Sequence, residues 1–224
     1  MDISVGLAPS TRLRVMAAVT PIVFIVDDDI SVRESLELLI ADAGWRPECF
    51  ASAQEFLDRP RSPAPSCLVL DVSLPDLNGL ELQKRVATDR SEMPIIFVTG
   101  HGDIPTTVQA MKAGAVEFLT KPFTPDVLLT AIEGALARSR VALNEAAGLQ
   151  LLRGRHQSLS RREQEVMALV VSGQLNKQVG GELGISEITV KAHRGRMMRK
   201  MRARSLPELV NIAARLGLKT TGQV

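Results

Sequence analysis

Aromatic residues are scarce in this sequence. It contains no tyrosine, one tryptophan and six phenylalanines, so aromatic side chains occupy only 3% of its 224 positions. Aliphatic and other apolar residues raise the hydrophobic fraction to 45%. A chain of this length can bury one large core or two smaller ones, and the composition predicts that these cores are mainly aliphatic.

Cysteine and long hydrophobic runs are scarce as well. Cys49 and Cys67 are not part of any CxxC pair or Cys/His cluster, which argues against a zinc site or a disulfide framework and predicts two small core residues. The apolar stretch at residues 15–26 is broken by Pro21, lacks a signal-peptide cleavage site and is too short to span a bilayer. We therefore expect a cytoplasmic protein with no membrane partner. Residues 1–20 are expected to form a disordered N-terminal extension. Met16 is a second candidate for the translation start.

The net charge of +2 is a cancellation between two unlike halves. Residues 21–138 carry 10 lysines and arginines against 18 acidic residues, a net charge of −8. Residues 139–224 carry 15 lysines and arginines against 6 acidic residues, a net charge of +9. This asymmetry predicts two domains with different partners, and nucleic acid is the expected partner of the basic one.

The acidic half alternates short apolar runs with amphipathic segments. The expected strands are at residues 22–26, 46–50, 67–70, 95–98 and 116–119. The expected helices lie near residues 31–43, 52–58, 78–88, 104–113 and 124–137. This alternation predicts an α/β fold for residues 21–138, with five βα units wound on both faces of a parallel sheet.

Polar residues stand at the ends of four of these predicted strands. They are Asp27 and Asp28, Asp71, Thr99 (followed by Gly100) and Lys121 (followed by Pro122). The carboxyl ends of parallel strands meet at one edge of a sheet, so these side chains should converge. Clustered carboxylates need a cation, and Mg²⁺ prefers such oxygen ligands. A carboxylate beside Mg²⁺ and a lysine can attack a phosphoryl group and form an acyl phosphate.

Two enzyme classes fit this pattern less well. A haloacid-dehalogenase-type phosphatase also uses a strand-end aspartate, but it expects a second aspartate two residues later as general acid, and Ser73 stands there. No GxGxxG or Walker A motif follows any predicted strand, which argues against a nucleotide-binding enzyme. The sequence therefore predicts that the chain is not a turnover enzyme.

Four segments of the acidic half together resemble a response-regulator receiver domain over residues 21–138. They are residues 26–29 (VDDD), 70–79 (LDVSLPDLNG), 98–100 (VTG) and 118–123 (FLTKPF). The resemblance implies that a sensor histidine kinase phosphorylates Asp71. It also implies that Asp27, Asp28, Asp71 and the backbone carbonyl of Ser73 hold Mg²⁺.

The same resemblance implies roles for the remaining strand-end residues. Thr99 and Phe118 form a switch pair, and Lys121 contacts the phosphoryl group. Gly100 leaves room for the phosphodonor, and a cis peptide bond precedes Pro122. The receiver is expected to catalyse only its own phosphorylation and dephosphorylation.

The basic half is helical in pattern after a linker. Residues 139–157 contain no proline, and either a semi-rigid helix or a flexible tether fits them. Ser160 and Glu163 form a capping box that begins a first helix. A helix at about 175–183, a turn at Gly184 and a helix at 187–201 capped by Ser186 then make a helix-turn-helix.

The helix at 187–201 has an apolar face and a basic face. At 100° per residue, Met197 and Met201 fall beside Val190 on the core side. The opposite side carries Ala192, Gly195 and Arg199, flanked by Lys191 and Arg196. Small residues between basic ones suit entry into the DNA major groove. A solvated surface and a membrane-surface helix are the alternatives, and the preceding helix and turn favour DNA.

Residues 158–218 resemble the LuxR-type effector domain of the NarL/FixJ family. The matching segments are residues 159–163 (LSRRE), 175–178 (LNKQ), 182–186 (ELGIS) and 189–193 (TVKAH). The resemblance implies DNA-backbone contacts from Asn176, Lys177, Thr189, His193 and Arg196, and places Lys191, Ala192 and Gly195 nearest the bases. It also implies that a final helix at about 206–216 pairs two domains on a dyad-symmetric operator, before a tail at 219–224. Gly180 and Gly181 depart from the family, which usually has alanines there.

Together these features predict a transcriptional response regulator of a two-component system. Phosphorylation of Asp71 is expected to promote a homodimer and operator binding. Two alternatives remain open. One is a DNA-binding regulator that works without phosphorylation, and the other is a receiver that serves mainly as a phosphate sink.

Overall fold

The computed structural model describes residues 20–100 and 104–218. The expected N-terminal extension, apart from residue 20, and the expected tail at 219–224 lie outside the described residues. The chain divides into two compact units, Met1–Val141 and Ala142–Val224. Among the described helices, none is both long and apolar enough to cross a membrane.

The first unit is a five-stranded parallel sheet in the order β2-β1-β3-β4-β5. Its strands are β1 (Ile22–Val26), β2 (Arg46–Phe50), β3 (Ser66–Asp71), β4 (Ile95–Thr99) and β5 (Glu117–Thr120). Its helices are α1 (Ile30–Asp42), α2 (Ala53–Asp58), α3 (Gly79–Asp89), α4 (Ile104–Lys112) and the beginning of α5 (Pro125–Gln157). This arrangement confirms the predicted α/β fold.

Two separate cores cover the two faces of the sheet. Successive residues of a strand point to opposite faces, so Phe24 and Leu68 pack on the side that holds Phe56 of α2 and Leu82 of α3. The alternate residues pack against α1 and α5, with Ile25, Val69, Ile40 and Ile132 among the buried members. Because helices cover both faces, β1, β3 and β4 are buried along their whole length.

The sequence prediction was wrong about β5 in two respects. The strand begins one residue later than expected, and it is not buried, since Glu117 and Thr120 are exposed while Phe118 and Leu119 are half-buried. The reason is its place at the edge of the sheet, where it pairs only with β4. An apolar run alone does not distinguish an edge strand from a central one.

Helix α5 also extends well beyond the expected end at residue 137. It continues to Gln157, so the proposed linker at residues 139–157 lies within it. Gly148 and Gly154 lie inside the helix and do not interrupt it. Of the two alternatives for these residues, the structure therefore shows the helical one.

The second unit consists of helices around one core. After the last part of α5 come α6 (Arg161–Val171), α7 (Asn176–Leu183), α8 (Glu187–Met201) and α9 (Leu206–Arg215). Its buried residues include Leu152, Val166, Met167, Val190, Met197, Met201 and Leu209. The expected capping box of Ser160 and Glu163 is present. Gly184 has a φ of 66°, which ends α7 in the left-handed region, and the Ser186 hydroxyl caps α8.

Candidate functional site

The three strand-end aspartates of the first unit lie together. Carboxylate oxygens of Asp27, Asp28 and Asp71 are all within 4.8 Å of one another. The parallel pairing of β1 with β3 explains this, because Val26 lies opposite Leu70 and the following residues leave the sheet side by side. Asp27 and Asp71 are only 2% and 9% exposed, whereas Asp28 is exposed to solvent.

Lys121 connects the two buried members of this cluster. Its Nζ lies 2.8 Å from Oδ2 of Asp27 and 3.1 Å from Oδ2 of Asp71. Burial raises the pKa of Asp27 above its ordinary value, although the hydrogen bond from Lys121 opposes this. Burial alone would lower the pKa of Lys121, but its hydrogen bonds to Asp27 and Asp71 outweigh burial and raise it. Lys121 is therefore a charged partner of both carboxylates.

Backbone amides fix the other oxygen of each buried carboxylate. The N–H of Asp29 donates to Oδ1 of Asp27 at 3.0 Å, and the N–H of Ser73 donates to Oδ1 of Asp71 at 2.9 Å. The Asp29 side chain itself caps α1 by accepting from the N–H of Ser31 at 2.8 Å. Arg33, a residue that the sequence pattern did not indicate, donates from Nη1 to the carbonyl oxygen of Asp27 at 2.7 Å.

The remaining predicted receiver residues lie along β4 and β5 or just after them. Thr99 is buried at the end of β4, and its carbonyl accepts from the N–H of Lys121 at 2.8 Å. Gly100 is exposed, and apart from its chain neighbours no atom of the described residues lies within 4 Å of the position that a Cβ would take. Phe118 is half-buried and pairs with Phe97 of β4, with 6.0 Å between the ring centroids. It therefore lies two residues before the carboxyl end of β5. The Lys121–Pro122 peptide bond is cis, as expected.

A glycine at the start of α3 allows this helix to approach the backbone of Asp71 closely. A Cβ on Gly79, at the start of α3, would lie 2.6 Å from the backbone oxygen of Asp71 and 3.0 Å from Cα of Val72. Ser73, whose carbonyl the resemblance assigns to the metal, is exposed in the loop between β3 and α3. The close approach of the α3 N-terminus therefore shapes the loop that contains it.

The expected DNA-binding residues lie on α7 and α8. Lys177, Lys191, Ala192, Gly195, Arg196 and Arg199 are exposed, while Asn176, Thr189 and His193 are half-buried. Val190, Met197 and Met201 are buried on the opposite side of α8, which confirms the two faces expected from the sequence. The helix thus presents basic and small residues outward.

Several polar side chains near this surface have partners that the sequence did not indicate. Arg194 donates from Nη1 to Oδ1 of Asn176 at 3.0 Å, which links α8 to α7. Lys191 lies 3.0 Å from Glu187, one turn earlier. Lys200 approaches Glu163 to 2.6 Å and, with the Ser160 amide, lowers the pKa of that buried carboxylate. Lys200 is therefore part of the packing between α6 and α8.

Comparisons with known proteins agree with this geometry. Residues 23–133 match the response regulator receiver domain, and residues 157–213 match the bacterial regulatory proteins of the luxR family. Nodulation protein W of Bradyrhizobium diazoefficiens is 49% identical over 202 residues, which cover 90% of this chain and 89% of that protein. The chain belongs to the response regulators of the NarL/FixJ family.

Two further relatives support the same assignment. The response regulator protein TodT of Pseudomonas putida is 45% identical over 206 residues, covering 92% of this chain and 91% of that protein. The solved structure of the response regulator StyR has a TM-score of 0.77 and 46% identity, covering 88% of this chain and 99% of StyR. This response regulator is thus a DNA-binding transcriptional regulator of a two-component system and not a metabolic enzyme. Its receiver domain implies a histidine kinase as partner, and its luxR-type domain implies DNA.

Proposed function

We propose that this response regulator accepts a phosphoryl group on Asp71 and that the modification raises its affinity for operator DNA. The observation that supports Asp71 most directly is its position. Its carboxylate lies within 4.8 Å of two other carboxylates and accepts a hydrogen bond from Lys121. In the transfer, an Asp71 oxygen forms a bond to phosphorus while the bond from phosphorus to the donor histidine nitrogen breaks, and that nitrogen takes up a proton.

The residues present fit a bound Mg²⁺. Asp27, Asp28 and Asp71 supply three hard carboxylate oxygens, and the Ser73 carbonyl is the proposed fourth protein ligand. When bound, Mg²⁺ would neutralise charge on the transferred phosphoryl oxygens. The chain contributes Lys121 as a second cation and the Thr99 hydroxyl as a hydrogen-bond donor, and the absence of a side chain on Gly100 leaves room for the incoming phosphodonor. The same residues would serve the receiver's own dephosphorylation.

A homodimer is the proposed link between phosphorylation and DNA. Ile104, Val108 and Met111 are exposed apolar residues at helical spacing on α4, which packs beside β5 with its proposed switch residue Phe118. A contiguous apolar stripe of this kind is typical of an interaction surface. We propose that rearrangement at Thr99 and Phe118 favours pairing of two receivers on this side, while α9 pairs two effector domains on a dyad-symmetric operator. Two linked DNA-binding domains bind more tightly than one. A regulator that binds operator DNA would act in the cytoplasm, and we propose that location for this protein.

Replacement of Asp71 by asparagine tests the proposed acceptor. The variant keeps the shape of the side chain but loses the nucleophilic carboxylate, so we expect no acyl-phosphate labelling by a radiolabelled phosphodonor and no phosphodonor-dependent dimer in sedimentation. Asp42→Asn, at the exposed last residue of α1, is the control and should be labelled like the wild type. Labelling of Asp71→Asn at the wild-type level would contradict the assignment.

The two alternatives give different results in the same experiment. A regulator independent of phosphorylation would bind its operator equally with and without phosphodonor. A phosphate sink would be labelled on Asp71 but would not bind a specific operator. The exposed basic surface of α8 favours a DNA-binding regulator over a phosphate sink.

Lys191→Ala tests the proposed role of α8 in reading DNA. Because Lys191 is exposed on the basic face, we expect its loss to weaken operator binding by about 1–3 kcal/mol if it contacts a base. Affinity for random DNA should then change much less. Equal weakening on both DNAs, with a reduced salt dependence, would show that Lys191 contacts phosphates instead. Lys84→Ala, on the exposed part of α3, is the control.

A further inference from the structure

An exposed isoleucine stands in the first turn of α8. Ile188 is 80% exposed, whereas Val190, two residues later, is completely buried in the core of the second unit. Single exposed apolar residues are common on protein surfaces, so the exposure alone assigns no role. The position of Ile188 on α8 indicates what this exposed side chain can contact.

Ile188 belongs to the stripe of α8 that lies opposite the core. Residues four, seven and eleven positions further on are Ala192, Gly195 and Arg199, and at 100° per residue all of them point the same way as Ile188. All four are exposed. Two of them are small, so Ile188 is the bulky apolar side chain of this stripe.

Positive charges border the stripe on both sides. Lys191 and Arg196 are exposed at its edges, and Lys177 is exposed on the neighbouring helix α7. A surface with cations at its edges suits a polyanion better than an apolar protein partner. If the edges follow the phosphates of duplex DNA, the centre of the stripe faces the base edges in the major groove.

We infer that Ile188 contacts the 5-methyl group of a thymine in each operator half-site and thereby helps to determine sequence specificity. The thymine methyl is the apolar group that the major groove exposes, and an isoleucine side chain can recognise it only by apolar contact. This inference rests on the proposed entry of α8 into the major groove. It adds a residue that reads sequence without a hydrogen bond.

Single thymine-to-deoxyuridine substitutions in the operator test this inference, because each removes one methyl group and leaves base pairing unchanged. An operator obtained by binding-site selection with the full-length protein is titrated with the wild type and with Ile188→Ala. At one position in each half-site we expect the wild type to lose about three- to fivefold in affinity, the effect of one buried methyl group. Ile188→Ala should bind the thymine and deoxyuridine versions equally, and Ile188→Val should retain part of the difference.

The controls separate this inference from the proposed function. Leu151→Ala removes an apolar side chain of the same unit that is 56% exposed and not on α8, and it should keep the full sensitivity to the methyl group. Equal effects of every deoxyuridine on wild type and Ile188→Ala, or a selected operator without a sensitive thymine, would overturn the inference. Failure of the wild type to select any DNA sequence would instead contradict the proposed function.

Discussion

Lys121 is the resident cation of the acidic cluster, and its removal should change metal binding. Lys121→Met leaves Asp27 and Asp71 without their shared ammonium group, so the site becomes more negative. We expect the variant to bind Mg²⁺ several-fold more tightly at pH 7.5 in a calorimetric titration, while phosphorylation becomes slower.

Lys112→Met, an exposed lysine at the end of α4, is the matched control for that experiment and should bind Mg²⁺ as the wild type does. Weaker Mg²⁺ binding by Lys121→Met would show that the lysine organises the carboxylates more than it competes with the metal.

Gly180 and Gly181 are neighbours in α7 with different surroundings. A Cβ on Gly181 would meet open space, whereas a Cβ on Gly180 would lie 2.8 Å from the backbone oxygen of Ile185. Gly181→Ala should therefore raise the free energy of unfolding of the second unit by up to about 1 kcal/mol.

Gly180→Ala should raise the free energy of unfolding by less than Gly181→Ala does, because the turn after α7 must move to make room for the added methyl group. Urea unfolding followed through the methyl NMR signals of Met197 and Met201 measures both variants. An equal or larger gain for Gly180→Ala would contradict the close approach seen at Ile185.

The residues of the receiver site could be predicted because their position follows from the order of the chain. Asp27, Asp71 and Lys121 each come directly at a strand end, and parallel strands bring such ends to one edge. The partners Arg33 and Arg194 could not be predicted in this way. Their hydrogen bonds depend on how particular side chains approach each other after packing, and residue spacing does not encode this.

At the scale of elements, the pair Glu163 and Lys200 joins α6 to α8. Lys200 holds the pKa of Glu163 below its ordinary value, so the pair stabilises the fold above that ordinary pKa and loses its effect as pH falls through the lowered one. Lys200→Met should reduce the free energy of unfolding of the second unit by about 1 kcal/mol at pH 7, because Lys200 is 40% exposed and solvent screens the pair.

The difference between wild type and Lys200→Met should shrink as the pH falls through the lowered pKa of Glu163, because protonation removes the negative charge that Lys200 pairs with. The Met197 and Met201 signals during urea unfolding at several pH values measure it. Lys177→Met, an exposed lysine of α7, should show no comparable pH dependence. A difference that stays constant with pH would mean that Lys200 acts through packing rather than charge.

Most elements could be predicted from apolar periodicity and capping residues, and the two exceptions have physical causes. The strand β5 has the apolar run of a central strand, but only the sheet order makes it an edge. The helix α5 continues to Gln157 through Gly148 and Gly154. Because glycine has a low helix propensity, the sequence alone predicts that the helix is weakened at these two positions. Leu152 of this helix is buried in the core of the second unit, and such packing offsets the cost of glycine.

At the scale of the whole molecule, the opposite charges of the two halves correspond to two kinds of site. The acidic half contains the carboxylate cluster around Asp71, and the basic half presents exposed Lys and Arg residues on α7 and α8. Operator affinity should accordingly fall steeply with salt, because bound cations are released from the DNA phosphates. Asp71 and the proposed DNA-binding residues belong to different halves of the sequence. Phosphorylation of Asp71 should therefore change DNA affinity indirectly, through a change in the protein.

We expect phosphorylation of Asp71 to control DNA binding. Operator affinity of the full-length wild type and of Asp71→Asn, each with and without phosphodonor and Mg²⁺ at one salt concentration, tests it most directly. Phosphodonor should tighten DNA binding of the wild type by at least about fivefold, the lower range of allosteric coupling, and should leave the affinity of Asp71→Asn unchanged. Equal affinities of the wild type with and without phosphodonor, or the same increase in Asp71→Asn, would contradict it.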